Sequence, residues 1–146
     1  MKKLLVVTLI ILVAALSACR DRSERPPKPA EQDVIQIVAG EPFTLKAGQK
    51  ATFNDNELSI SFASVSEDSR CATGVECIWE GQVTAVFRVV VAGEAVGDKS
   101  LTVRGGLPDS IDFNGYTLSI SAVDPYPEHE VPIKAADYTA TLTLTK

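Results

Sequence analysis

Cys71 and Cys77 are the side chains in this 146-residue chain best suited to do chemistry, and they lie in the stretch Asp68-Ser-Arg-Cys71-Ala-Thr-Gly74-Val-Glu-Cys77-Ile-Trp79-Glu-Gly81. Two sulfurs this close can join as a disulfide or, as thiolates, take a metal. A zinc site would need His129 and a fourth ligand, and the spacing is wider than the C-x2-4-C usual in structural zinc sites. A small disulfide loop is therefore expected, with Gly74 free to take the positive φ of a tight reversal. Glu67, Asp68, Glu76 and Glu80 lie near the pair, but without the ligand order of an EF-hand they read as a solvated acidic rim. Arg70 and Asp68 are expected to form an exposed ion pair contributing about 0 to 1 kcal/mol. His129 is the chain's single histidine. It stands among prolines and acids in Asp124-Pro-Tyr-Pro-Glu-His-Glu-Val-Pro132, where an exposed loop residue is a better reading than a general base. A nucleophile activated by histidine needs that ring within hydrogen-bond reach. No spacing singles out a carboxylate pair for glycoside hydrolysis, and Gly105-Gly106 lacks the lysine and following helix of a phosphate loop. No catalytic residue, cofactor or metal is assigned, and the chain is read as not an enzyme.

The third cysteine, Cys19, belongs to a different context. Met1-Lys-Lys3 precedes an apolar run from Leu4 to Leu16, too short for a membrane span of about 20 residues but suited to a secretory signal. Leu16-Ser17-Ala18-Cys19 resembles the lipobox of bacterial lipoproteins. That resemblance implies a diacylglyceryl group on the Cys19 sulfur, cleavage after Ala18 and an anchor in the cell envelope. Arg20 follows where aspartate is associated with inner-membrane retention, so the outer membrane is expected in a cell that has two. Lipidation of Cys19 leaves an even pair of cysteines for an oxidising compartment. Losing Lys2 and Lys3 takes the formal net charge from −5 to −7. Such a surface repels nucleic acid, and the expected partners are the membrane, through the lipid, and another envelope protein.

The chain divides into a signal peptide (1–18), a tether (19–32) and one folded domain (33–146). Arg20 to Gln32 is charged and proline-rich with no apolar period, as an extended tether would be. Beyond it the residues alternate as strands do. A long half-buried strand is expected to run from Cys77 to Val91, placing Trp79 in the core beside the disulfide, with Gly81 at a bend. Val34–Val38, Phe43–Leu45 and Ala51–Phe53, the last two flanking a glycine turn, also read as strands. So do Leu58–Ala63, Ser100–Arg104, the alternation from Tyr116 to Ala122 and that from Tyr138 to Leu144. Residues 92–98 read as a glycine-spaced loop. About eight short strands with one apolar and one Ser/Thr face imply an all-β antiparallel sandwich, a filled barrel being the alternative. Phe53-Asn54 and Leu58-Ser-Ile-Ser61 recur 60 positions later as Phe113-Asn114 and Leu118-Ser-Ile-Ser121, an echo that similar alternating strands produce by chance, a duplicated hairpin being the alternative.

Residues 43–145 resemble a group of small secreted or lipid-anchored bacterial proteins with no assigned activity. The residues carrying this are Asp68-Ser-Arg-Cys71, Cys77-Ile-Trp79, Gly81, Val123-Asp-Pro125-Tyr-Pro127 and Asp137-Tyr138. Ala72 replaces a frequent proline and Glu80 a frequent small residue. The resemblance supports fold and address only. The function expected is a membrane-anchored envelope lipoprotein with a non-enzymatic binding or structural domain. Its candidate contact surface joins the 71–77 loop to the 124–132 loop through Arg70, Thr73, Glu76, Tyr126 and His129. Inhibition of a secreted hydrolase by the disulfide loop is the first alternative; small-molecule or metal binding is the second.

Overall fold

The structure, a computed structural model, describes residues 34–146; the expected signal peptide, Cys19 and the tether lie outside the described residues. Among the described residues nine strands form two sheets: β1 (Val34–Gln36), β2 (Pro42–Lys46), β3 (Lys50–Phe53), β4 (Leu58–Asp68), β5 (Gln82–Val91), β6 (Glu94–Arg104), β7 (Asp109–Phe113), β8 (Tyr116–Asp124) and β9 (Thr139–Thr145). One sheet has the order β1-β3-β4-β5-β6 and the other β2-β9-β8-β7. They face each other as a sandwich and do not close into a barrel. Every pairing is antiparallel except that of β1 with β3.

Alternation explains the core. Leu58, Ile60 and Phe62 of β4 and Val83, Ala85, Phe87 and Val89 of β5 face inward from one sheet, while Leu118, Ile120, Ala140, Leu142 and Leu144 meet them from the other, all fully buried. Phe62 stacks on Phe87 with ring centroids 5.1 Å apart. Burial of each large side chain contributes roughly 1.5–3 kcal/mol, so these two faces are the main source of stability.

Two differences from the sequence reading, at residues 92–98 and at β7, have local causes. The glycine turn after β2 is present, but β2 and β3 do not pair: Gly48, at φ +87°, donates its N–H to the Phe62 carbonyl across 2.7 Å as the chain crosses from one sheet to the other. Residues 92–98 are not a loop. A two-residue turn at Ala92-Gly93, with φ +50° and +82°, starts β6 at Glu94, and Gly97 sits beside a bulge opposite Val89 and Val90. The ninth strand is β7, which pairs with β8. The repeated segments do form two hairpins, one in each sheet. Their registers differ: Phe53 pairs with Leu58 but Phe113 with Tyr116, so the 60-residue repeat does not superimpose strand on strand.

One end of the sandwich is closed by short turns. Besides Ala92-Gly93, these are Asn114-Gly115 between β7 and β8 and residues 54–57 between β3 and β4. They are drawn together by Glu57: its carbonyl accepts the Ala92 N–H at 2.6 Å, and its carboxylate accepts the Tyr116 hydroxyl at 2.9 Å and lies 3.7 Å from Lys146.

Candidate functional site

The opposite end carries two long connections beside the short turns 47–49 and 105–108. Residues 69–81 leave β4 and return to β5, and the hairpin ladder continues into them: the Ser69 N–H donates to the Gln82 carbonyl (2.8 Å) and the Cys71 N–H to the Glu80 carbonyl (3.0 Å). Gly81 makes this stem possible. At φ +72° it lies so close to the facing strand that a Cβ there would stand 1.9 Å from the Ser69 carbonyl oxygen. Beyond the stem, Cys71 and Cys77 are joined, with S–S 2.03 Å and Cα–Cα 5.9 Å. The expected disulfide is present.

Arg70 ties this hairpin to the other sheet. Its guanidinium donates to both Asp68 carboxylate oxygens, Nε to Oδ1 at 2.8 Å and Nη2 to Oδ2 at 2.6 Å. It also donates from Nη1 to the Val123 carbonyl and from Nη2 to the Pro125 carbonyl (2.9 Å), at the end of β8. The Tyr126 ring lies 5.1 Å from the guanidinium carbon, in cation–π contact, and the Tyr138 hydroxyl donates to Asp68 Oδ2 at 3.0 Å. The sequence reading of an exposed pair is corrected here. The side chains of Arg70 and Asp68 are only 7% and 12% exposed, because β4 runs on to Asp68 beneath the loop arriving from β8. Burial tends to raise the Asp68 pKa, but the bonds and charge of Arg70, helped by Tyr138, outweigh it and hold the carboxyl below its ordinary value. The Tyr138 hydroxyl is pushed up by burial and by the Asp68 carboxylate.

The two loops are also joined directly. The Thr73 N–H donates to the Pro127 carbonyl (2.9 Å) and the His129 N–H to the Thr73 carbonyl (3.3 Å), a short parallel bridge. The five residues of the expected contact surface are thus brought to one end, with unequal roles. Arg70 is an internal clamp rather than a contact residue, because its donors are consumed by Asp68 and the β8 loop. Thr73 is a clasp between loops, and Tyr126 is half exposed against Arg70. Glu76 and His129 are exposed.

Trp79 is the largest correction. The indole is 81% exposed and Ile78 beside it 93%; β5 begins only at Gln82. The left-handed turn at Gly81 breaks the alternation expected from Cys77, so residues 78–80 arch outward instead of continuing the inward face. Ile78-Trp79 is itself the overlooked signal: two adjacent large apolar residues cannot both face inward on one strand. A shallow hollow beside them is lined by Ser69, Gln82 and Arg104, where the Arg104 guanidinium donates twice to Gln82 Oε1. Beneath the loops a separate cleft of about 390 Å³ opens between the sheets. Its lining includes Val83, Val103, Val123, Glu80 and Asp124.

Among the described residues, no three His, Cys, Asp or Glu side chains are placed to share a metal ion, and no helix is long and apolar enough to cross a membrane. Compared with known protein families, with characterised proteins and with solved structures, the chain finds no match in any of the three.

Proposed function

We propose that this chain is a lipid-anchored envelope protein, held through Cys19, whose sandwich is a non-enzymatic scaffold presenting its long-loop end to another envelope protein. The observation that carries the reading is that Ile78 and Trp79 stand in water on a loop fixed by a disulfide, a buried ion pair and backbone bonds to a second loop. An exposed apolar pair contributes nothing to the core, whereas a rigid support lowers the ordering cost of binding. Tryptophan is also enriched among residues that dominate interfaces. The lipobox resemblance of residues 16–19 supports the anchor, and the tether composition of residues 20–32 supports a domain held off the bilayer.

Two experiments test the reading. Replacing Cys19 with Ala is expected to move the protein from the detergent phase to the aqueous phase; unchanged partitioning ends the anchor assignment. Crosslinking in intact envelopes is expected to capture a protein whose yield falls at least about tenfold in Trp79→Ala, and equal capture by both chains rejects the contact surface. Should the captured protein be a secreted hydrolase that loses activity on binding, the scaffold acts as an inhibitor. The cleft of about 390 Å³ favours one second reading, a small-molecule site, since ligand pockets start near this size. A thermal-shift screen showing no stabilisation by any compound rejects it.

A further inference from the structure

The protruding pair has a charged setting that restricts what can cover it. Within residues 67–82 the only Lys or Arg is Arg70, and its charge is held by Asp68. Residues 124–132 contain neither Lys nor Arg. The exposed acids here are Glu67, Glu76, Glu80, Asp124, Glu128 and Glu130, and against them the connection after β8 sets one exposed cation, Lys134, so this end keeps a net negative charge. Arg104, from β6, is the cation beside the Trp79 hollow. The bridge between Thr73 and Glu128 fixes the second loop's acids beside the disulfide ring that carries Glu76. The result is an exposed apolar pair on a stiff mount, with Glu80 and Arg104 beside it, at an end of the sandwich whose loops carry a net negative charge.

Resting on the docking reading above, we infer that the occupant of this end is a protein surface with an apolar socket for Ile78 and Trp79 rimmed by lysine or arginine. The indole and the isoleucine side chain supply apolar area to desolvate, and the acids steer the encounter and select against acidic surfaces. Anionic lipid headgroups and polyphosphates are disfavoured by the same charges. A neutral socket would bury unpaired carboxylates at its margin, a cost that a basic rim removes. Because the acids remain near the edge of the contact, their effect is sensitive to salt.

The test uses the full-length chain in intact envelopes. A carbodiimide, which joins a carboxylate to an amine without a spacer, reports on the rim. Benzoylphenylalanine in place of Ile78 reports contact at the apolar centre whatever its charge. Expected are carboxylate-to-lysine links from Glu76, Glu80, Glu128 or Glu130 to one protein, and photo-adducts from position 78 to that same protein. Both are expected to fall at least about fivefold in Trp79→Ala and to weaken as salt rises, and the photo-adducts are expected to fall as much in a chain carrying Glu76→Gln, Glu80→Gln, Glu128→Gln and Glu130→Gln. Photo-adducts that need Trp79 but persist in the four-glutamine chain and at high salt overturn the basic rim and leave the docking reading standing. Photo-adducts to lipid alone overturn the protein occupant. If no adduct to any protein depends on Trp79, the docking reading itself fails.

Discussion

The two ends of the sandwich solve the same problem differently. At one end, pairs of strands are joined by two to four residues, with backbone strain accepted at Asn54, Asp55, Asn56, Ala92 and Asn114, all at positive φ. Its acidic residue Glu57 is partly exposed and its partner Lys146 exposed. At the other end, residues 69–81 and 125–138 are long connections, and Arg70 is buried among Asp68 and the β8 carbonyls. Closing the hydrophobic layers needs only the first solution. The second adds chain length and then removes its freedom through a disulfide, a buried ion pair and hydrogen bonds between the two loops.

The contrast breaks first at the ion pairs. Arg70→Ala strands the Asp68 carboxylate and two carbonyls, and is expected to cost about 3–5 kcal/mol by chemical denaturation; Glu57→Ala, at the exposed end, is expected to shift the denaturation midpoint far less. A similar cost at both ends would erase the distinction. Glycines sharpen it next. Gly81→Ala drives a methyl into the Ser69 carbonyl and is expected to cost at least about 2 kcal/mol. Gly93→Ala meets nothing within 4 Å and is expected to cost only the roughly 1–2 kcal/mol of a left-handed alanine. Replacing Cys71 and Cys77 by Ser is expected to cost about 2 kcal/mol, from the freed loop in the unfolded chain, with faster proteolysis confined to 72–76.

Acid acts on the long-loop end through Asp68. Its folded carboxyl titrates below the ordinary value of 3.8, so near and below that pH the unfolded chain binds the proton more readily. The stabilisation is therefore complete at neutral pH and is lost as pH falls below about 3.8. Asp68→Asn is expected to flatten the acid limb of a stability-against-pH curve. The smallest effect is expected at the most prominent residue: Trp79→Ala should change stability by less than about 0.5 kcal/mol. A loss of several kcal/mol would mean that the indole belongs to the fold after all.

Much of this architecture is legible in the chain because period-two alternation is a strong signal wherever one face is buried. Leu58–Phe62, Tyr116–Ile120 and Ala140–Leu144 all fall where alternation places them. It fails where backbone geometry changes parity. Gly81 reverses the face of the residues before it, so Trp79, apparently in step with Val83 and Phe87, ends outside. β6 begins in a segment rich in glycine and charge because pairing with β5 outweighs local preference. The sulfur pair was readable from its spacing and its residue count. The buried setting of Arg70 was not, since its carbonyl partners lie on Val123 and Pro125, more than fifty positions away, and only the meeting of the two sheets brings them within reach.

β1 bears on how the domain would respond to tension. It is three residues long, sits at the margin of its sheet and pairs with β3 alone. A pull arriving from the residues before Val34 therefore meets the weakest ladder in the domain first. Its loss would free three residues while leaving the eight other strands and both long connections paired as they are.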